Sequence, residues 1–147
     1  AVMVHEGKLL AMKEDRIAHW YLPGGRVRLG ETMGQAALRE LGEELGIGAK
    51  LLRPLWFCES FFALGDLPVH ELAMYFLAQP DWQSFPSGER EFVREDTDKE
   101  SHIFRWLDPR EVTESALYPL VLQENFPGLP QRFSLVSDIR DRKVISK

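Results

Sequence analysis

The segment over residues 32–45 constrains the fold more than any other part of the chain, because its pattern is that of one amphipathic helix. Apolar residues recur at every fourth position, at Met33, Ala37, Leu41 and Leu45. That spacing places them along one face of a helix. Gly46 follows, where a helix C-cap is expected. The sequence therefore predicts a helix over residues 32–45 with an apolar stripe along one face.

Three carboxylates crowd one edge of this helix, beside its apolar face. At about 100° per residue, Glu40 and Glu44 lie within about 40° of one another, and Glu43 lies about 60° to one side of Glu40. Like charges at these spacings repel one another. A divalent cation would relieve the repulsion, and hard carboxylate oxygens suit Mg²⁺ or Mn²⁺. The pattern therefore indicates a magnesium or manganese site on the helix.

The residues around these carboxylates fit such a site. Arg39 stands four residues before Glu43 and is therefore its near neighbour on the helix, and an arginine there can orient a carboxylate through a bidentate contact. Two consecutive glycines, Gly24 and Gly25, allow the backbone to turn tightly and expose a carbonyl as a further ligand. Glu31 falls at the helix start, where the helix dipole favours a carboxylate. A simple cap and a catalytic role are both open for Glu31.

The segment over residues 25–47 resembles the Nudix box, whose pattern is G-x5-E-x7-R-E-U-x-E-E-x-G-U with U a bulky aliphatic residue. Every specified position is filled, by Gly25, Glu31, Arg39, Glu40, Leu41, Glu43, Glu44, Gly46 and Ile47. The lead-in over residues 20–25 also looks like that of the family. The resemblance implies an α/β (α+β) fold, an α/β/α sandwich with a mixed central sheet, as a single Nudix domain over residues 1–147.

The resemblance also implies a reaction and a set of site residues. The implied metal ligands are the main-chain carbonyl of Gly24 and the side chains of Glu40, Glu43 and Glu44. Water would attack one phosphorus of a diphosphate bridge in a nucleoside diphosphate linked to another group. Glu40 or a partner carboxylate would position or deprotonate that water, with Arg39 beside it.

Substrate contacts are expected from Gly24, Gly25 and an aromatic side chain. Trp20 is the first candidate to stack on a base, and Phe61 and Phe62 are further candidates. Aromatic residues in strands are also commonly core residues.

A further acidic residue is expected from a loop outside the box, as the resemblance implies. Residues 89–100 are rich in acidic side chains and precede the predicted strand at Trp106. Glu100 is our first candidate for an extra ligand or base, with Glu95 and Asp98 as alternatives. An acidic loop is also typical of solvated surface. The four histidines do not cluster at metal-ligand spacing, and no role is predicted for them.

The rest of the chain alternates between predicted strands and helices. Strand character is found in residues 1–5, 8–12, 19–22, 51–52, 55–62, 69–78, 102–107 and 132–136. Helices are predicted from Asp108 onwards and over residues 117–124. The polar stretch over residues 80–100 lacks periodicity and is interpreted as a loop. No linker or internal repeat divides the chain, so one domain of mixed α and β type is expected.

Composition narrows the partner classes. With 18 basic and 23 acidic side chains the net charge is −5, which argues against a nucleic-acid polymer as the ligand. A small nucleotide-like substrate is what the resemblance implies. No apolar run approaches the roughly 18 residues that span a membrane. The single cysteine, Cys58, is expected in the core and suits a reducing cytoplasm. Dimers are common among similar proteins, so a homodimer is a state to test.

The substrate and one alternative function stay open at this stage. Markers beyond the box that are typical of coenzyme A, NADH, dinucleoside polyphosphate and ADP-sugar hydrolases are missing. A non-catalytic Nudix-like module that senses a nucleotide is the alternative function. Such a module would be expected to lose box carboxylates, and this chain has lost none.

Overall fold

Two sheets and three helices form the part of the chain that the structure, a computed structural model, describes: residues 1–14, 17–83, 85 and 89–140. The strands are β1 (Val4–His5), β2 (Lys8–Glu14), β3 (Ala49–Leu64), β4 (Leu67–Pro80), β5 (Glu91–Glu95), β6 (Ser101–Leu107) and β7 (Ser134–Ile139). The helices are α1 (Met33–Leu45), α2 (Pro109–Glu114) and α3 (Leu120–Asn125). This mixed α and β architecture confirms the predicted fold class.

The predicted central sheet is divided into two. An antiparallel sheet has the order β1-β2-β6-β5, and a second sheet has the order β4-β3-β7. Strand β7 runs parallel to β3, so the mixed pairing lies in the three-stranded sheet. An isolated bridge between Val2 and Leu77 joins the two sheets, with the Val2 N–H 2.8 Å from the Phe76 carbonyl oxygen.

Strand β2 shows how the layers are built, because its alternate residues enter different apolar clusters. Leu9 belongs to the cluster that contains Val112 of α2. Leu10 and Met12 belong to the cluster that contains Leu41 of α1. Helices therefore cover both faces of the antiparallel sheet, as an α/β/α sandwich requires.

Helix α1 begins and ends where the sequence predicted. The Thr32 side chain accepts from the Gln35 N–H at 3.2 Å, and the Gln35 side chain accepts from the Thr32 N–H at 2.8 Å, which is a capping box. Gly46 ends the helix with φ +68 and donates to the Gly42 carbonyl at 3.0 Å. Local signals alone therefore define both ends.

The apolar face of α1 is divided between the core and a cleft. Leu41 and Leu45 are buried. Met33 is 37% exposed, and with Ala37 it lines the cleft described below. The predicted apolar stripe therefore lies in the core along the second half of the helix and along the cleft, beside residues of β3 and β4, at its first turns.

Several predicted boundaries differ from the structure. Residues 19–22 were predicted as a strand, but Trp20 and Tyr21 form isolated bridges. The predicted loop over residues 80–100 contains strand β5, whose single buried residue, Phe92, gives no periodic signal. The predictions for residues 1–5, 117–124 and 132–136 overlap β1, α3 and β7, with shifted ends. Residues 84 and 86–88 of the predicted loop, and 141–147 of the predicted domain, lie outside the described residues.

Two simpler predictions concern Cys58 and the membrane. Cys58 is fully buried, which confirms its place in the core. None of the described helices is long and apolar enough to span a bilayer.

Candidate active site

The box helix carries one buried carboxylate at the centre of the site. Glu44 is 8% exposed, and its Oε2 accepts a hydrogen bond from the Gly24 N–H at 2.9 Å. Burial raises the pKa of Glu44 to about 8; the hydrogen bond from Gly24 opposes this, and the charges of Glu40 and Asp96 add to it. A buried carboxylate beside two others is an arrangement that a bound cation would stabilise.

The two glycines before the helix are required for different reasons. Gly24 has φ +147, a conformation that other residues rarely adopt. Gly25 lies against Glu40, because a Cβ built on Gly25 would come 2.4 Å from the Glu40 Oε1. The turn therefore places the Gly24–Gly25 backbone directly beside Glu40 and Glu44. The role of the Gly24 carbonyl as a metal ligand stays a prediction.

Arg39 joins the carboxylates of the box into one network. Its Nη1 donates to Glu40 Oε1 and to Glu43 Oε2, each at 2.7 Å. Its Nη2 and Nε donate to the two oxygens of Glu31, at 2.7 and 3.1 Å. Arg39 therefore contacts its predicted neighbour Glu43 through one hydrogen bond, and the carboxylate that it meets in a bidentate contact is that of Glu31.

Glu31 is not the helix cap, because Thr32 holds that position. Glu31 Oε1 accepts from the Arg28 N–H at 2.6 Å, in addition to its two bonds from Arg39. The Arg39 hydrogen bond, together with that from Arg28, lowers the pKa of Glu31 to about 2. Glu31 therefore stays ionised and holds Arg39 in place.

The sequence reasoning missed Arg28, which is the bidentate partner of Glu43. Both pairs of atoms, Arg28 Nη1 with Glu43 Oε1 and Arg28 Nη2 with Glu43 Oε2, are 3.2 Å apart. The Arg28 side chain is 63% exposed. Its position inside the box loop, three residues before Glu31, was the available signal. Two arginines thus hold Glu43 in this structure.

The acidic loop over residues 96–100 brings a second group of polar side chains towards the box. Ligand atoms of Asp96, Glu100 and His102 lie within 4.8 Å of one another. The His102 Nε2 is 3.1 Å from Asp96 Oδ2, and His102 is 5% exposed. The charge of Asp96 contributes to the raised pKa of Glu44, so this loop lies beside the box carboxylates.

The candidates in that loop have different positions. Glu100 is exposed. Burial raises the pKa of Tyr21 most, Glu14 and Glu44 raise it further, and the charge of Glu100 makes the smallest contribution of these. Asp98 lies in a turn and donates its N–H to Asp96 Oδ1 at 2.8 Å, and Glu95 ends β5. Asp96, which the sequence analysis passed over, is therefore the central residue of the loop. The spacing of aspartates at 96 and 98 was the available signal for this turn.

A cleft of about 400 Å³ lies against the glycine turn. Gly24, Gly25 and Arg26 form one part of its wall. Rings form another part, from His19, Tyr21, Phe62, Tyr75 and Tyr118. Polar backbone and flat side chains therefore share one cavity, which suits a ligand with a charged and a planar part.

Trp20 does not line the cleft. It is 7% exposed and lies in the core, with Lys13 Nζ and Arg105 Cζ each 4.9 Å from its ring centroid. Successive residues of an extended segment point in opposite directions, so Tyr21 faces the cleft instead. The candidates Phe61 and Phe62 are separated in the same way: Phe62 lines the cleft, and Phe61 stacks on His70.

The fold agrees with that of known hydrolases. The chain is similar to an ADP-ribose pyrophosphatase from Streptococcus suis, with a TM-score of 0.57 and 14% identity over 93% of this chain and 94% of that one. It is also similar to a UDP-X diphosphatase, with a TM-score of 0.60 and 17% identity over 92% of this chain and 63% of that one. At these identities the likeness shows the fold alone.

Sequence comparisons supply the family. The chain is 32% identical over 99 residues to a candidate mutator protein, MutT4, of Mycobacterium tuberculosis, a match that covers 67% of this chain and 36% of the relative. It thus spans about a third of the length of that curated relative, and 34% or less of two others. The model of the NUDIX domain matches residues 1–126. The chain, with its complete box folded around a buried glutamate, belongs to the Nudix family.

Proposed function

We propose that this chain is a Mg²⁺-dependent hydrolase that cleaves a diphosphate bond in a nucleoside diphosphate linked to another group. The observation that carries the proposal is the network in which Arg39 holds Glu40 and Glu43 beside the buried Glu44. The solved structures with this fold include proteins named as an ADP-ribose pyrophosphatase and a UDP-X diphosphatase. Those names support the class of reaction and leave the substrate open.

The residues present fit a divalent cation. Hard oxygen ligands are available from Glu40, Glu43, Glu44 and the Gly24 carbonyl, the type of donor that Mg²⁺ and Mn²⁺ prefer. Burial raises the pKa of Glu44, and the charges of Glu40 and Asp96 add to this effect; a bound cation would favour the ionised carboxylate instead. When bound there, the ion would supply positive charge to the phosphoryl oxygens.

The side chains around the ligands have supporting roles. Arg39 orients Glu40 and Glu43, and Glu31 fixes Arg39 through its bidentate contact. Glu40 would hold the attacking water and accept its proton, since its carboxylate lies against the open turn at Gly25. Glu100, exposed on the neighbouring loop, is the alternative base. The cleft would hold the part of the substrate that does not react.

A release assay with a substrate panel tests the proposal. Nucleoside triphosphates, dinucleotides, nucleotide sugars and ADP-ribose are each incubated with Mg²⁺ or Mn²⁺, and monophosphate and phosphate release are measured. Metal-dependent cleavage of one class supports the hydrolase and supplies its substrate. Nucleotide binding without cleavage of any substrate would contradict it and favour the sensor function.

Two further expectations concern setting and assembly. A small nucleotide-like molecule is the proposed ligand, and the net charge of −5 gives no support to a nucleic-acid polymer. The cytoplasm is the proposed compartment, because a single cysteine suits a reducing environment. A homodimer stays a prediction, to be tested by light scattering.

A further inference from the structure

Arg140 projects into the cleft from the residue that follows β7, and three contacts fix its side chain. Its Nε donates to Asp138 Oδ2 at 3.0 Å. Its guanidinium carbon lies 4.1 Å from the ring centroid of Tyr118 and 4.7 Å from that of Phe62. The side chain is 15% exposed. Arg140 is therefore held in one orientation by residues that lie outside the box.

Asp138 is a buried carboxylate that holds this arginine through a hydrogen bond. It is 2% exposed, and its Oδ2 also accepts from the Leu120 N–H at 3.1 Å. Its Oδ1 has no hydrogen-bond partner among the described residues. A buried carboxylate is costly without a charged partner, and Arg140 is that partner. The pair therefore gives the cleft a fixed cationic group.

The guanidinium of Arg140 has hydrogen-bonding capacity left for a ligand. An arginine carries five N–H donors in one plane and no acceptor, and the contact with Asp138 uses Nε. Within the described residues neither Nη group has a hydrogen-bond partner, although the guanidinium lies over two rings. Arg140 also lines the cleft. A ligand there would have to offer two acceptors side by side.

The rest of the cleft wall favours a planar ligand over a second phosphate group. Tyr21, Tyr75 and His19 line the same cavity and present aromatic surface, on which a nucleobase can stack. The carboxylate of Glu71 also lines it and offers acceptors. Guanine has adjacent acceptors, O6 and N7, on one edge and N–H donors on the opposite edge, whereas adenine carries an amino donor next to N7.

We propose that Arg140 is a specificity-determining residue, which binds the acceptor edge of a 6-oxopurine base and so selects guanine nucleotides over adenine nucleotides. Asp138 is its positioning residue. The inference rests on the proposed function, because it places the base of the nucleotide substrate in the cleft beside the box.

Equilibrium binding of GMP and AMP to the metal-free protein tests this inference separately from hydrolysis. Titration calorimetry compares the wild type with R140K, D138N and R110K. Arg140→Lys keeps a cation beside Asp138 but lacks the planar fork of donors. Arg110, whose side chain is 82% exposed on α2, supplies the matched control. Thermal melting of each variant shows whether it is folded.

The wild type and R110K are expected to bind GMP about tenfold or more tightly than AMP. R140K should lose most of that preference by weakening GMP alone, and D138N should lose part of it. A GMP-to-AMP ratio in folded R140K equal to that of the wild type would overturn the inference, as would a wild type without preference. If the substrate panel shows no hydrolysis while GMP is preferred, the proposed reaction fails and the base site stands.

Discussion

Arg39 is the single residue on which the order of the candidate site depends most. It contacts Glu31, Glu40 and Glu43 at once, with its side chain 18% exposed. Hydrogen bonds between charged groups are shorter and stronger than those between neutral groups. Salt also screens partly buried ion pairs less than exposed ones. The network therefore fixes two predicted metal ligands before any metal binds.

Replacing Arg39 by lysine tests this role. A lysine keeps the charge but cannot reproduce the fork that meets Glu31, so Glu40 and Glu43 lose their common anchor. We expect kcat to fall by about 10- to 100-fold at saturating Mg²⁺, the usual effect of losing a group that orients metal ligands. Steady-state kinetics measure the change, with R110K as the control on an exposed arginine. A kcat unchanged in R39K would show that the network is dispensable.

The raised pKa of Glu44 gives the metal-free protein a pH-dependent stability. The unfolded chain releases this proton near the ordinary pKa of 4.5, whereas the folded protein holds it to about 8. Between those values the unfolded state binds fewer protons, so the contribution of Glu44 to stability falls as pH rises. The effect is on the order of a few kcal/mol at most.

Urea unfolding of the wild type and E44Q in EDTA measures this effect at pH 5 and pH 8. Glutamine cannot ionise, so the stability of E44Q relative to the wild type should be higher at pH 8 than at pH 5. Comparing the two proteins at each pH cancels the other titrating groups. An equal difference at both pH values would mean that Glu44 titrates normally.

Among the elements, helix α1 was predictable because its signals are local. The every-fourth-residue pattern, Thr32 at the start and Gly46 at the end identify it without any tertiary contact. Strand β5 was not predictable in this way. It is paired along one side by β6, and its burial pattern contains one buried residue, so its structure depends on its neighbour.

In the candidate site, too, residues that depend on local sequence signals were predictable, and residues that depend on tertiary contacts were not. The box carboxylates were identified from spacing, since one helix presents all three. Asp96 and Arg140 reach the site through loops whose positions depend on how β6 and β7 pair with distant strands. Trp20 was misplaced because an aromatic lead-in residue gives no sign of which face it occupies. The sequence indicated which residue types belong to the site, but it did not indicate the direction in which each side chain points.

The turn that precedes α1 provides a prediction about backbone packing. In G25A the new Cβ would lie 2.4 Å from Glu40 Oε1, so the carboxylate must move. We expect activity to fall by about tenfold or more, because small displacements of reacting groups are costly. In G42A no atom lies within 4 Å of the added Cβ, and a helix interior favours alanine by about 0.5–1 kcal/mol.

Kinetics and thermal melting of the two alanine variants are compared in one series. G42A should keep wild-type kinetics and melt at a higher temperature. G25A should remain folded with reduced turnover. Full activity in G25A would contradict the close approach of Glu40 to the glycine turn.

At the scale of the whole molecule, the two sheets and α1 place the cleft beside the box carboxylates, with the glycine turn common to both. Helix α1 contributes the box carboxylates, and the Gly24 N–H of the glycine turn donates to Glu44. Strand β4 contributes Glu71 and Tyr75, and the residue after β7 contributes Arg140. The first set lies within residues 24–45, and the second comes from β4 and from the residue after β7. A variant in one set should therefore alter turnover, and a variant in the other should alter substrate choice.

The measurement that tests the central claim most directly is Mg²⁺-dependent release of a nucleoside monophosphate by the wild type and by E43Q/E44Q. The matched control is E114Q/E124Q, which removes the same charge from exposed positions on α2 and α3. We predict that the folded E43Q/E44Q protein has no metal-dependent turnover, while the control keeps the wild-type rate within about twofold. Metal-dependent turnover retained in E43Q/E44Q would contradict the account, because the box carboxylates would then not hold the metal.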